Sequence, residues 1–370
     1  MILRTFGWSL AVTIVALVAS FLLGGGQVLA IVAILIVLEI SLSFDNAVVN
    51  ATILKKMNEF WQKIFLTVGV LIAVFGMRLV FPLALVSITA SISPVEVVRL
   101  AIEGGSVDTP GTYANLLTDA HPAIAGFGGM FLGMLFLDWL FADRDITWLS
   151  WLERPLQRIG SLDQLSVVVA GIGLVAAGLY LAPGGKEGTV MIAGVLGIVT
   201  YLAVNGLGNH FEASADTDED DDAGTDEPER SRTGEMVLAS GKAAFFLFLY
   251  LEVLDASFSF DGVVGAFAIS QDIFVIAVGL GVGAFWIRSL TVYLVRQGTL
   301  DDYVYLEHGA HWAIGALSVL LLVTISFEVP EVITGLIGVG FIGAAFINSV
   351  IRNRRIEAET GEVPHVHADV

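Results

Sequence analysis

Cysteine is absent from all 370 residues, which removes disulfides, thiolate metal sites, iron–sulfur clusters and cysteine nucleophiles together. Any metal the chain binds must therefore be held by oxygen or imidazole. Charge is scarce as well: Asp, Glu, Lys and Arg make up 15% of the sequence, against about 25% in an ordinary soluble protein. There is no Gly-rich phosphate loop, no HExxH pair and no convincing nucleophile arrangement, so an enzyme is disfavoured. No basic cluster exceeds the RNRR run of Arg352 to Arg355, and that run reads as a membrane-flanking anchor rather than a nucleic-acid surface.

Hydrocarbon fills the chain instead. Hydrophobic residues are 56% of it and the mean hydropathy is +0.81. Apolar runs of roughly 20 residues recur, each long enough to cross a hydrocarbon core about 30 Å thick. Bounding them by Gly, Pro and charge predicts ten spans, near residues 6–23, 28–54, 63–90, 123–141, 165–182, 189–208, 238–268, 272–296, 309–328 and 331–350. The expected fold is all-α, a polytopic transmembrane helix bundle with the lipid bilayer as its solvent. The GGGQ run at Gly24 to Gln27 is expected to split the first long apolar stretch into two helices. The first of them reads as retained, because no small-x-small cleavage site ends it.

Ten of the 37 carboxylates fall between Glu212 and Glu229, so residues 211–236 read as an acidic, disordered loop. That loop divides the chain. A first helix (1–27) and a membrane half with added spans (28–210) precede it; a second half (237–351) and a polar tail (352–370) follow. Placing the N-terminus inside puts 14 of the 18 Lys and Arg residues on one side, with Arg99 and Lys186 opposite and Arg78 and Arg288 within spans. By the positive-inside rule that side is cytoplasmic and holds both termini, which predicts a multi-pass protein of the cytoplasmic membrane.

The two halves echo each other. LEISLSFDNAVV at Leu38 to Val49 parallels LEVLDASFSFDGVV at Leu251 to Val264, and each is followed by a helix with Gly nine residues before Arg, Gly69 to Arg78 and Gly279 to Arg288. The charge-derived topology runs the two motif helices in opposite directions. This is an inverted-topology internal repeat, the arrangement by which secondary transporters alternate access to a central site.

Glu39, Asp45, Glu252, Asp255 and Asp261 all fall inside apolar spans, where a bare carboxylate costs at least a few kcal/mol. With Asn46 and the hydroxyls of Ser41, Ser43, Ser257 and Ser259 they form a candidate set of hard oxygen ligands suited to Mg2+, Ca2+ or Mn2+. Breaks at Asp45-Asn46 and Asp261-Gly262 are expected to add backbone carbonyls. The plainer alternative is that the acids only pair with Arg78 and Arg288 and tie helices together. Asp138 is a weaker candidate, either a ligand or a helix-end partner for Arg144. His308 and His311, beside Glu307, read as a helix start at the interface, Asn205, Asn209 and His210 as a helix end, and His365 and His367 as tail residues.

These residues resemble the TerC-like integral membrane proteins, and within them the branch labelled domain of unknown function 475. The resemblance rests on Glu39 with Asp45-Asn46, on Glu252-x-x-Asp255 with Asp261, and on YLEHG at Tyr305 to Gly309, and covers roughly residues 28–350. It implies export of Mn2+ or a related divalent cation by some members and an association with tellurium resistance in others. Gly262 stands where the second motif usually has Ser, and the extra spans, long loops and acidic insert also depart from the common pattern. The expectation is a divalent-cation exporter, Mn2+ first, that exchanges metal for protons at Glu39, Asp45, Asn46, Glu252, Asp255 and Asp261, with Arg78 and Arg288 orienting the acids. It needs no resident cofactor, and self-association is left open. The alternative is a non-transporting membrane scaffold in stress-response or membrane-assembly complexes.

Overall fold

The protein is described here as a computed structural model covering residues 2–160, 162, 164–218, 239, 241–270, 272–296 and 302–360; some side chains within helices, Asp45 and Asp261 included, lie outside the description. The acidic loop beyond residue 218 and the tail beyond 360 also lie outside it, His365 and His367 among them.

Most of the described residues are helical, with no named strand among them and one isolated β-bridge, Met57 with Ala239. In chain order the helices are α1 (Ile2–Leu42), α2 (Phe44–Leu54), α3 (Glu59–Ile64), α4 (Phe81–Thr89), α5 (Pro94–Glu103), α6 (Tyr113–Phe141), α7 (Ser150–Ile159), α8 (Leu165–Tyr180), α9 (Glu187–Asp218), α10 (Gly241–Ile269), α11 (Ile273–Arg296), α12 (Leu306–Thr324) and α13 (Glu331–Thr360). Two π-helical segments, Phe65–Gly69 and Ile72–Val80, lie between α3 and α4.

Among the described residues seven helices are long and apolar enough to cross a membrane: Phe6–Ser41, Ile72–Thr89, Tyr113–Phe141, Glu187–Leu207, Ile273–Arg296, Leu306–Thr324 and Ile333–Glu359. Their outward faces are apolar, with Leu23 89% and Ile88 75% exposed, a surface that only lipid satisfies over so wide an area. The chain is an all-α, multi-pass membrane protein.

Within α1 the backbone leaves helical geometry at Gly25 (φ 71, ψ −166), a conformation that costs a residue without Cβ little. The kink falls inside the GGGQ run and separates two helical pieces as the sequence implied. Elsewhere boundaries move. Helix α6 begins at Tyr113, ten residues before the predicted span, because Thr112 accepts the backbone N–H of Asn115 and caps the start. Helix α9 continues to Asp218, so residues 211–218 are helical where a disordered loop was expected, and Asn205, Asn209 and His210 do not end it. Helix α13 runs to Thr360, through the RNRR run and into the predicted tail.

The bundle is organised around α6, which buries Met130, Phe131, Leu132 and Met134 against α8, α9, α10 and α12. Helix α1 packs along α11, and α10 packs on the π-helical stretch. Those two contacts bring Glu39, Arg78, Glu252, Asp255 and Arg288 to buried positions.

Candidate functional site

The first motif is interrupted, but at Ser43 rather than at Asp45-Asn46. Ser43 has φ −98 and ψ 15 between α1 and α2, and its hydroxyl makes no cap to α2. Instead that hydroxyl donates to Glu39 Oε1 at 3.0 Å. Asp45 and Asn46 then occupy the first turn of α2, where the exposed N–H groups favour negative charge. The second motif does not break: α10 runs as helix through Asp261 and Gly262 to Ile269. The sequence overrated Asp-Gly as a helix breaker, because inside a bilayer an open backbone has no water to satisfy it.

Glu39 is 2% exposed and paired with Arg78, itself 3% exposed. The second guanidinium nitrogen, Nη1, donates 2.7 Å to the carbonyl of Ala73, five residues back within the π-helical turns. Such wide turns are rare and recur at functional sites. On the other helix pair, Arg288 donates to both oxygens of Glu252 at 3.0 and 3.2 Å and to Asp255 Oδ2 at 3.2 Å. Its guanidinium also lies 4.0 Å over the Phe65 ring. Glu39, Glu252 and Asp255 thus pair with the arginine 39, 36 and 33 residues downstream, each in its own half.

Glycines admit these pairs. A Cβ at Gly69 would lie 2.6 Å from Arg288 Nη1 and 2.9 Å from Glu252 Oε1, and one at Gly283 would lie 2.5 Å from Cβ and Cγ of Glu39. Helices from the first half thereby seat the second half's ion pair, and the reverse. A Cβ at Gly262 would sit 3.4 Å from Glu39 Oε2, so the Asp261-Gly262 backbone adjoins the first motif's carboxylate. The structure therefore brings Glu39 and Arg78, and Glu252, Asp255 and Arg288, together in two buried assemblies. Asn46 is 3% exposed on α2; the side chains of Asp45 and Asp261 are outside the description. Among the described residues no three of His, Cys, Asp and Glu converge as a metal-binding group.

Asp138 stands apart from both assemblies. It accepts a 2.7 Å bond from Tyr201, and Arg144 stacks over Trp139 at 3.7 Å instead of pairing with it. His308 and His311 occupy the first turns of α12, where His311 stacks on Trp139 at 4.6 Å and its Nδ1 lies 2.8 Å from the Glu307 carbonyl. The helix-start reading of YLEHG fits this placement.

Two residues escaped the sequence reading. Asn50 is 1% exposed and its Oδ1 has no hydrogen-bond partner. It lies four residues beyond Asn46 and eleven beyond Glu39, and that spacing was the available signal. Glu153, on the short amphipathic α7, is fully buried. It accepts the backbone N–H of Trp148 (3.1 Å) and Leu149 (3.2 Å) and the indole N–H of Trp312 (3.0 Å), with His308 Nδ1 at 3.3 Å.

Burial alone would raise the Glu153 carboxyl, but His308, Trp312 and the Leu149 N–H outweigh it and bring it from 4.5 down to about 2. A depressed carboxylate contributes stability that is present above pH 4.5 and is lost as pH falls toward 2. Glu153→Gln should therefore melt below wild type at pH 7, with the gap shrinking between pH 4.5 and 2 in melting curves of detergent-solubilised protein. A gap independent of pH would show that the carboxylate does not dock α7.

No curated protein and no solved structure matches the chain. One family model does, over residues 44–356, and takes in α2 with its Asp45-Asn46, both arginines and the whole second motif. By that match the chain belongs to DUF475, a family of proteins of unknown function.

Proposed function

We propose that the protein exports a divalent metal cation, Mn2+ first among the candidates, by alternating access and in exchange for protons. One observation carries this reading: two buried acid–arginine assemblies, Glu39 with Arg78 and Glu252 and Asp255 with Arg288, each built within one sequence repeat and each seated on a glycine of the other. Charge buried at this depth is expensive and marks ion or proton pathways. The matching pairs also support the inverted repeat. With Asp45 and Asp261 added, five acids face two arginines, and the surplus negative charge calls for a cation or protons. Carboxylate, amide and hydroxyl oxygens suit Mn2+, Mg2+ or Ca2+.

The ten-span topology counts α1 as two spans at Gly25 and adds α8 and α10 to the six other long apolar helices. Helix α8 is an apolar 16-residue helix, and α10 carries Glu252, Asp255 and Asp261. The basic-side bias supports two cytoplasmic termini in the cytoplasmic membrane, and the motif residues support kinship with TerC-like proteins. The scaffold alternative predicts the reverse sensitivity, tolerance of intramembrane substitutions and intolerance of loop deletion.

Proton exchange is tested with inverted vesicles, acidic inside and loaded with a pH-reporting dye. Mn2+ added outside should alkalinise the lumen faster in vesicles bearing the protein than in empty ones. A lumen pH indifferent to Mn2+, Mg2+ and Ca2+ would remove the exchange step.

A further inference from the structure

A cavity of about 470 Å3 lies between the π-helical stretch, α6, α9 and α10, and shares only Glu252 with the ion site proposed above. Three of its four walls belong to helices long and apolar enough to cross a membrane, contributing Met77, Phe127 and Thr200. The fourth is α10, whose Phe245, Leu249, Glu252 and Ala256 recur at helical spacing along the cavity. Phe245 and Leu249, at one end of that row, are 46% and 37% exposed on the apolar exterior, so the cavity opens sideways toward lipid. Glu252, at 3% exposure, marks its deep end.

Its chemistry disfavours a polar guest. Only Thr200, Glu252 and Ser257 among its lining residues carry side-chain oxygens. Both Glu252 oxygens are taken by Arg288, and the Ser257 hydroxyl is spent on the Val253 carbonyl at 3.0 Å. Apart from Glu252, the lining offers a hydrated metal ion no carboxylate, and so apolar a surface holds water poorly. The volume falls in the range of roughly 300–1,000 Å3 typical of small-molecule sites. On the apolar exterior of a multi-pass membrane protein the surrounding solvent is hydrocarbon chains.

We propose that this cavity is a binding site for one acyl chain of a membrane phospholipid, which enters between Phe245 and Leu249 and ends against the Glu252–Arg288 pair. The seated chain fills the space beside that pair with hydrocarbon. The site stands whether or not the protein transports metal.

The full-length protein, reconstituted in phosphatidylcholine vesicles containing a lipid with a diazirine near the end of one acyl chain, provides the test. After irradiation, peptide mass spectrometry should find adducts on Phe127, Phe248 or Val253 inside the cavity, as well as on outward residues such as Ile192. Ala256→Phe and, from the facing wall, Thr200→Phe fill the space, and each should cut the inner adducts at least about fivefold while leaving those at Ile192 unchanged. Two filling variants guard against one that fails to fold. Adducts confined to outward residues in wild type, or inner adducts undiminished in a folded filling variant, would overturn the proposal.

Discussion

Replacing Arg288 with leucine is expected to destabilise the protein by about 3–5 kcal/mol, the usual cost of removing one partner from a buried ion pair. The guanidinium is 2% exposed and serves two carboxylates at once, and its Phe65 contact is lost with it. What remains is Glu252 and Asp255, three residues apart on one face of α10 and with no cation between them. Removing all the charge together should reverse most of the loss. In Glu252→Gln, Asp255→Asn, Arg288→Leu the helices pack without an orphan ion, and melting in detergent should return to within about 1–2 kcal/mol of wild type. That variant should still fail to transport, since it has lost its ligands along with its counter-charge. A stable triple variant that transports would assign the Arg288 assembly to structure alone.

A second large effect is expected from neutralising the paired acids of the two motifs. Asp45→Asn with Asp261→Asn changes shape little but removes two negative charges from membrane depth, and transport should fall at least about tenfold. Folding should survive, because asparagine is nearly isosteric with aspartate. The backbone at Gly262 adjoins the Glu39 carboxylate, and Asp45 lies in the helical turn that follows Ser43, itself bonded to Glu39. The Asp261-Gly262 backbone and the first turn of α2 therefore border the Glu39–Arg78 pair. Glu39→Gln alone is a different case: it strands Arg78, so any loss of transport there mixes chemistry with stability.

Much of this arrangement could be read from residue order. The GGGQ kink was legible because glycine is the residue that tolerates a positive φ at low cost, and Gly25 takes one. The arginines were legible because isolated charges in apolar runs need partners, and each found the carboxylate of its own motif. The breaks were less so. Asp-Asn and Asp-Gly are turn formers in water, but here Ser43 carries the interruption while its hydroxyl turns to Glu39, and α10 holds its helix through Asp261-Gly262. Hydropathy also missed α5 and α7, short helices set by local caps and amphipathic spacing rather than by long apolar runs. Neither the π-helical turns around Arg78 nor the buried Glu153 has a periodicity that announces it; both follow from what packs against them.

The most direct test of metal transport is uptake of Mn2+ into inverted vesicles carrying wild type or the Asp45→Asn, Asp261→Asn variant, with Ca2+, Mg2+ and Zn2+ as competitors. Uptake by wild type, suppressed by its best competitor and lost in a folded double variant, is the expected result. Absence of uptake of any of these ions by wild type, with and without a pH gradient, would contradict it and favour a membrane scaffold.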